Sequence, residues 1–187
     1  MRVTPLSFIA ATLLLAAIII NPFREMFAQD DAWAYARMVQ HLLATGRYGL
    51  DSFTAANMPV QIYIAAGLSK IFGYSPALLR FKTLALLVVA LVSFYLLLRE
   101  LGHARRMAGI ITLALLASPF VLILGFAFMS DVQFLAWLVL ALLLYVRGMR
   151  YQSAWSMFFG SLAAGCAIGT RQFGIALIAG LIIAWLL

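Results

Sequence analysis

The chain has 187 residues, 66% of them apolar and 10% charged, with a mean hydropathy of +1.06. No soluble domain of this length hides so much apolar surface, so the composition calls for a polytopic helical membrane protein. Thirteen Lys/Arg against six Asp/Glu give a net charge of +7, but the basic residues sit in short loops between apolar runs, as membrane topology requires and a nucleic-acid surface does not. A lone Cys166 leaves no intrachain disulfide, and His41 and His103 at unrelated spacing make no zinc site.

In chain order, Leu6–Ile20 reads as a first span closed by Asn21-Pro22. It reads as retained, because no small-x-small cleavage site precedes Pro22. An external loop over 22–75 follows. Its first helix is expected at about 31–45, with Tyr35, Met38, Val39 and Leu42 at i, i+3, i+4, i+7 and Arg37, Gln40, His41 and Ala44 on the other face. Asp31 reads as its N-cap and Gly46 as its C′ stop. A second helix at about 59–72 is apolar but too short to cross a bilayer, and contains Gln61, Ser69 and Lys70. Both read as juxtamembrane amphipathic helices.

Further spans are expected at Pro76–Leu98, Met107–Phe128 (kinked at Pro119), Ser130–Val146, Ala154–Gly169 and Phe173–Leu187. The fold class is therefore all-α, with about six transmembrane helices in a single transmembrane domain over 1–187. With the 59–72 helix on the surface, Arg2 and the basic loops Arg99–Arg106 and Arg147–Ser153 share one side, which the positive-inside rule makes cytoplasmic. Asp30, Asp31, Asp131 and Arg171 then converge on the opposite, periplasmic or lumenal side. The apolar run up to Leu187 reads as part of a longer chain.

Asp30 and Asp31 offer a general base at a helix N-terminus, where the dipole favours ionised carboxylates. Paired acids also suit a divalent cation held through oxygen. Asp131 opens an apolar helix, where an acid is costly unless paired or facing water. Arg171, in a hairpin where Gly or Ser would suffice, offers a guanidinium for phosphate, and Arg80 adds charge on the same side. Lys82 lies on that side too and offers further charge, but it is the weaker candidate because snorkelling accounts for it. Gly160, Gly165 and Gly169 with Ala164 form a small-residue stripe suited to close helix packing. A transporter or lipid-flippase fragment is the alternative, but it calls for repeated halves and mid-membrane charges, and the chain has no internal repeat. A non-catalytic assembly subunit is a third reading.

The order of these features resembles the N-terminal part of the GT-C membrane glycosyltransferases, in particular the protein O-mannosyltransferase and lipid A aminoarabinose transferase group. The motifs are QDDAWAYARMVQHLLATGRYG, MPVQIYIAAGLSKIFGYSPALLRF, the basic loop LLRELGHARR, the Ser118–Asp131 passage and the GTRQFG hairpin. Where some relatives place Lys or His before the second helix's proline, this chain has Met58. The resemblance implies inverting transfer of a sugar from a polyprenyl-phosphate donor to a lipid, glycan or protein acceptor. The setting would be the periplasmic face of a bacterial inner membrane, or the lumenal face of the endoplasmic reticulum. It makes Asp30 the base, Asp31 and Asp131 supporting acids or ligands for Mg or Mn, and Arg171 with Arg80 the pair on the donor phosphate.

Overall fold

A computed structural model describes residues 5–20, 31–54 and 57–186, all helix and connecting turn. Asp30 and Arg2 lie outside these residues, so the expected base and the first basic anchor are not described. The helices are α1 (Pro5–Ile20), α2 (Ala32–Thr45), α3 (Pro59–Phe72), α4 (Pro76–Glu100), α5 (Arg105–Ala117), α6 (Pro119–Gly125), α7 (Ser130–Arg150), α8 (Ala154–Thr170) and α9 (Ile175–Leu186).

The two loop helices form where their patterns place them. α2 stops at Gly46, whose φ of 69° is the left-handed conformation that glycine adopts at low cost. Asp31 precedes α2 but makes no side-chain cap hydrogen bond. Its carboxylate is engaged by Tyr35 instead, which corrects the capping expectation. α3 begins on Pro59 and buries Gln61, Ile62, Ala65, Ala66 and Ser69. Together α2 and α3 close an apolar cluster of Tyr35, Met38, Val39, Met58, Ile62 and Phe128.

Six spans are not what the described residues contain. Only α4 (25 residues) and α7 (21 residues) are long and apolar enough to cross a membrane singly. α5 and α6 make a third crossing if counted together, bent by 68° at their break. Pro119 causes that break, because it removes an intrahelical donor and clashes with the preceding turn. α1, α8 and α9 are apolar but have 16, 17 and 12 residues. At 1.5 Å per residue, α8 reaches about 25 Å against a hydrocarbon core of about 30 Å. Fewer helices reach that length than the apolar runs suggested, because apolar residues also fill the breaks between them: Phe126–Met129 lies between helices, and Gln172–Gly174 is a 3₁₀ turn.

α4 and α7 lie side by side and run the same way. Near their starts, the Gln133 amide donates to Thr83 Oγ1 at 3.4 Å. At their ends, Glu100 accepts from Arg147 Nε at 2.8 Å and Tyr151 at 3.1 Å. The two basic loops therefore meet at one end of the bundle. α8 returns antiparallel along α7, with Tyr145 reaching Ser161 at 3.4 Å. The small residues of α8 do not form one stripe: a Cβ on Gly160 would meet Tyr145, one on Gly169 would meet Val60 of α3, and one on Gly165 would meet nothing within 4 Å.

The turn after α8 presses a glycine directly against helix backbone. A Cβ on Gly174 would lie 2.6 Å from the Ile168 backbone nitrogen. Gly174→Ala is therefore expected to lower stability by about 1–3 kcal/mol, read as a depressed thermal midpoint in detergent. Gly165→Ala, with open space around it, should be neutral or mildly stabilising, and equal midpoints for the two variants would contradict the packing.

Candidate active site

The site is built where α2, the start of α7 and the turn after α8 meet. Tyr35, one helical turn beyond Asp31 and 2% exposed, donates its hydroxyl to Asp31 Oδ2 at 3.2 Å. Burial first, and the Asp31 charge second, push the Tyr35 pKa above the ordinary tyrosine range, while hydrogen bonds with Ser130 and Thr54 pull against them. The phenol thus stays protonated at neutral pH and remains a donor to the carboxylate.

Ser130, the first residue of α7 and fully buried, carries the chain of bonds onward. Its Oγ accepts from Arg171 Nε at 3.0 Å, and Arg171 Nη2 donates to Asp131 Oδ2 at 2.9 Å. The side chains of Arg171 and Asp131 are 32% and 35% exposed, so the pair contributes at most about 1 kcal/mol. Its effect is orientation. Two of the guanidinium's five N–H donors are fixed, and Nη1 makes no hydrogen bond among the described residues.

A cavity of about 340 Å³ opens over this chain, lined by Asp31, Tyr35, Thr54 and Asn57 on one side and Arg171, Gln172 and Phe173 on the other. Asn57 is held by Tyr48, whose hydroxyl donates to Asn57 Oδ1 at 2.8 Å and accepts from the Met58 amide at 3.3 Å. Tyr48 in turn stacks on Tyr63 at 5.9 Å. The hollow has an acid, a fixed cation and several neutral donors within one small volume. Such a set can accept a proton and stabilise a departing anion.

Of the residues singled out from sequence, Asp31, Asp131 and Arg171 come together here. Asp30 lies outside the described residues. Arg80 is 8% exposed near the start of α4 and does not line the cavity. For a divalent cation, no group of three or more His, Cys, Asp or Glu side chains gathers among the described residues. Asp131 Oδ2 is already neutralised by Arg171.

Lys82 does not snorkel. It is 7% exposed, its Nζ donates to the Gln61 carbonyl at 3.0 Å, and it sits 4.9 Å from the Phe128 ring centroid. Gln61 Nε2 donates to the Phe128 carbonyl at 3.4 Å and Gln133 Nε2 to the Met129 carbonyl at 3.0 Å. These three side chains satisfy or pack on the non-helical turn that delivers Ser130 and Asp131. Sequence reasoning misread Lys82 and missed the supporting roles of Gln61 and Gln133, along with Tyr35, Thr54, Asn57 and Gln172. The available signal was polar residues within apolar runs, which at membrane depth are kept for a reason.

No family model and no curated protein matches the chain. Among solved structures it superposes on ArnT from Cupriavidus metallidurans in the apo state, with a TM-score of 0.72 at 18% identity. The match covers 96% of this chain and 35% of that one, so the chain spans about a third of ArnT. At that identity the likeness shows a shared fold: the described residues, all helix and turn and with two or three helices long and apolar enough to cross a membrane, have the architecture of that portion of ArnT.

A tyrosine labelled at position 35 should titrate above the ordinary value of 10 by carbon NMR. Asp31→Asn should bring it down only part of the way, because burial is the larger cause. A raised phenol pKa adds stability that is complete below the ordinary tyrosine value and lost as pH climbs through the raised one. Asp31→Asn should therefore shrink the alkaline loss of stability, which still begins near the ordinary tyrosine value but is complete at a lower pH. An unchanged Tyr35 titration in that variant would break the link between the two side chains.

Proposed function

We propose that this chain is the catalytic portion of a GT-C type glycosyltransferase. In this reading the cavity over Asp31 and Arg171 is where a sugar leaves a polyprenyl-phosphate carrier for an acceptor hydroxyl. The fold supports the reading, since ArnT belongs to the aminoarabinose transferase group that the sequence resembles. The observation that carries it is Arg171, fixed by Ser130 and Asp131 beside a cavity that also holds a carboxylate.

The chemistry divides between the two sides of the hollow. A carboxylate of the Asp30–Asp31 pair takes the acceptor's proton as its oxygen bonds to the anomeric carbon. The bond from that carbon to the phosphate oxygen breaks, and the carrier leaves with an added negative charge. Asp30 is assigned as the base by its place in the motif, and Asp31, tied to Tyr35, as its support. Arg171 faces the departing phosphate. A guanidinium already oriented before charge develops stabilises it most, since nothing has to reorganise during the step. Asp131 is a positioning residue that holds Arg171.

The membrane disposition follows the same reading. The mouth faces the periplasm or lumen, and the end closed by Glu100 and the basic loops faces the cytoplasm.

In proteoliposomes supplied with a polyprenyl-phosphate sugar, Asp30→Asn in the protein that carries this chain should lower transfer by about 10²–10⁴-fold. Arg171→Gln should lower kcat/KM by about 10²–10³-fold, with Arg171→Lys retaining part of the activity. Unchanged turnover in Arg171→Gln would rule out the phosphate role, and unchanged turnover in both Asp30→Asn and Asp31→Asn would rule out the base.

A further inference from the structure

The polar face of α2 is a second feature that the transferase reading leaves unused. A polar helix face is ordinarily left open to water. Here the chain after Gly46 turns back along it, and Gly49–Ser52 forms a second wall. The two walls border an open hollow of about 500 Å³ between Arg37, Met38, Gln40, His41 and Ala44 on the helix and Gly49, Leu50, Asp51 and Ser52 on the loop.

The closure is held by specific contacts. The Asp51 side chain, 7% exposed, pairs through Oδ2 with Arg37 Nε at 3.2 Å and accepts the Phe53 amide on Oδ1 at 3.1 Å. Gly49 lies so close to His41 that a Cβ there would come within 3.1 Å of Nε2. Arg37 also sits over the Trp33 ring at 5.4 Å, and Trp33 packs on Phe53 at 5.1 Å. The loop is therefore fixed on both sides of the hollow.

The electrostatics select the ligand. Arg37 and Asp51 cancel, so the hollow carries neither a net positive nor a net negative charge to attract an ion. The remaining N–H groups of Arg37, the Gln40 amide, the His41 ring and the Ser52 hydroxyl supply both donors and acceptors. An apolar occupant would leave these groups unpaired at a cost. A neutral ring bearing several hydroxyls pairs with them, and the volume lies in the range of small-molecule sites.

We infer that this hollow is a second binding site that takes the neutral sugar ring of a glycan, on the face of α2 opposite the Asp31–Arg171 cavity. It stands apart from the transferase reading, because none of its lining residues belongs to that cavity.

The test uses the intact protein in nanodiscs, free of sugar detergents, with methyl mannoside and methyl N-acetylglucosaminide as probes. Saturation-transfer NMR should show saturable binding of at least one of them. Ala44→Leu fills the hollow from a helix that accepts leucine and should weaken that binding at least tenfold. Ser52→Leu, which fills it from the loop, should do the same if Ala44→Leu fails to fold. Arg171→Gln should leave the binding unchanged. No saturable signal with either probe, a signal that survives filling the hollow, loss of the signal in Arg171→Gln, or displacement of the sugar by inorganic phosphate would each overturn the assignment.

Discussion

The hold of Ser130 and Asp131 on Arg171 constrains the whole arrangement. The short connection between Arg150 and Ala154 turns α8 back antiparallel along α7, and the small side chains Ala163, Ala164 and Ala167 let the two pack closely. That return brings the end of α8 beside the start of α7, where Ser130 and Asp131 orient the Arg171 guanidinium. At the other end of α7, Glu100 gathers Arg147, Arg150 and Tyr151. The bundle is thus tied at both ends by charge-assisted bonds and filled between them by apolar contact.

The polar residues inside the bundle are concentrated near the mouth. Lys82, Gln61, Thr83 and Gln133 sit close to the turn Phe126–Met129, where helical hydrogen bonding lapses and backbone carbonyls need partners. Their work is to keep that irregular turn rigid. Ser130 and Asp131 follow it directly, so the geometry of Arg171 depends on side chains that never reach the cavity. Fixed polar groups in an apolar surround are also the condition under which a charge-stabilising site works best.

Periodicity and punctuation made α2 and α3 legible almost to the residue: the Tyr35–Leu42 spacing, Gly46 and Pro59 are local signals. The meeting of Asp31, Asp131 and Arg171 was legible from charge asymmetry, because long-range placement in a membrane chain is limited by which end each loop occupies. Span count was not legible. Hydropathy does not separate a residue in a helix from an equally apolar one in a turn, and Phe126, Phe128 and Phe173 sit in turns. Lys82 was misread because its stem length permits snorkelling, and only the fold puts the Gln61 carbonyl within its reach. Tyr35 was read as an apolar-face residue, which it is, but its hydroxyl also reaches Asp31. Tyrosine belongs to both classes, and sequence does not reveal which end is in use.

The central claim is that the loop after α2 and the turn after α8 face each other across one small cavity. The most direct measurement places cysteines at Thr54 and Phe173, both of which line it, in a Cys166→Ala background, and applies a short bifunctional thiol reagent in membranes. Efficient intramolecular cross-linking, absent when Phe173→Cys is paired instead with Gly102→Cys at the basic-loop end, is the expected result. Failure of the Thr54–Phe173 pair to cross-link while both thiols remain reactive would contradict it.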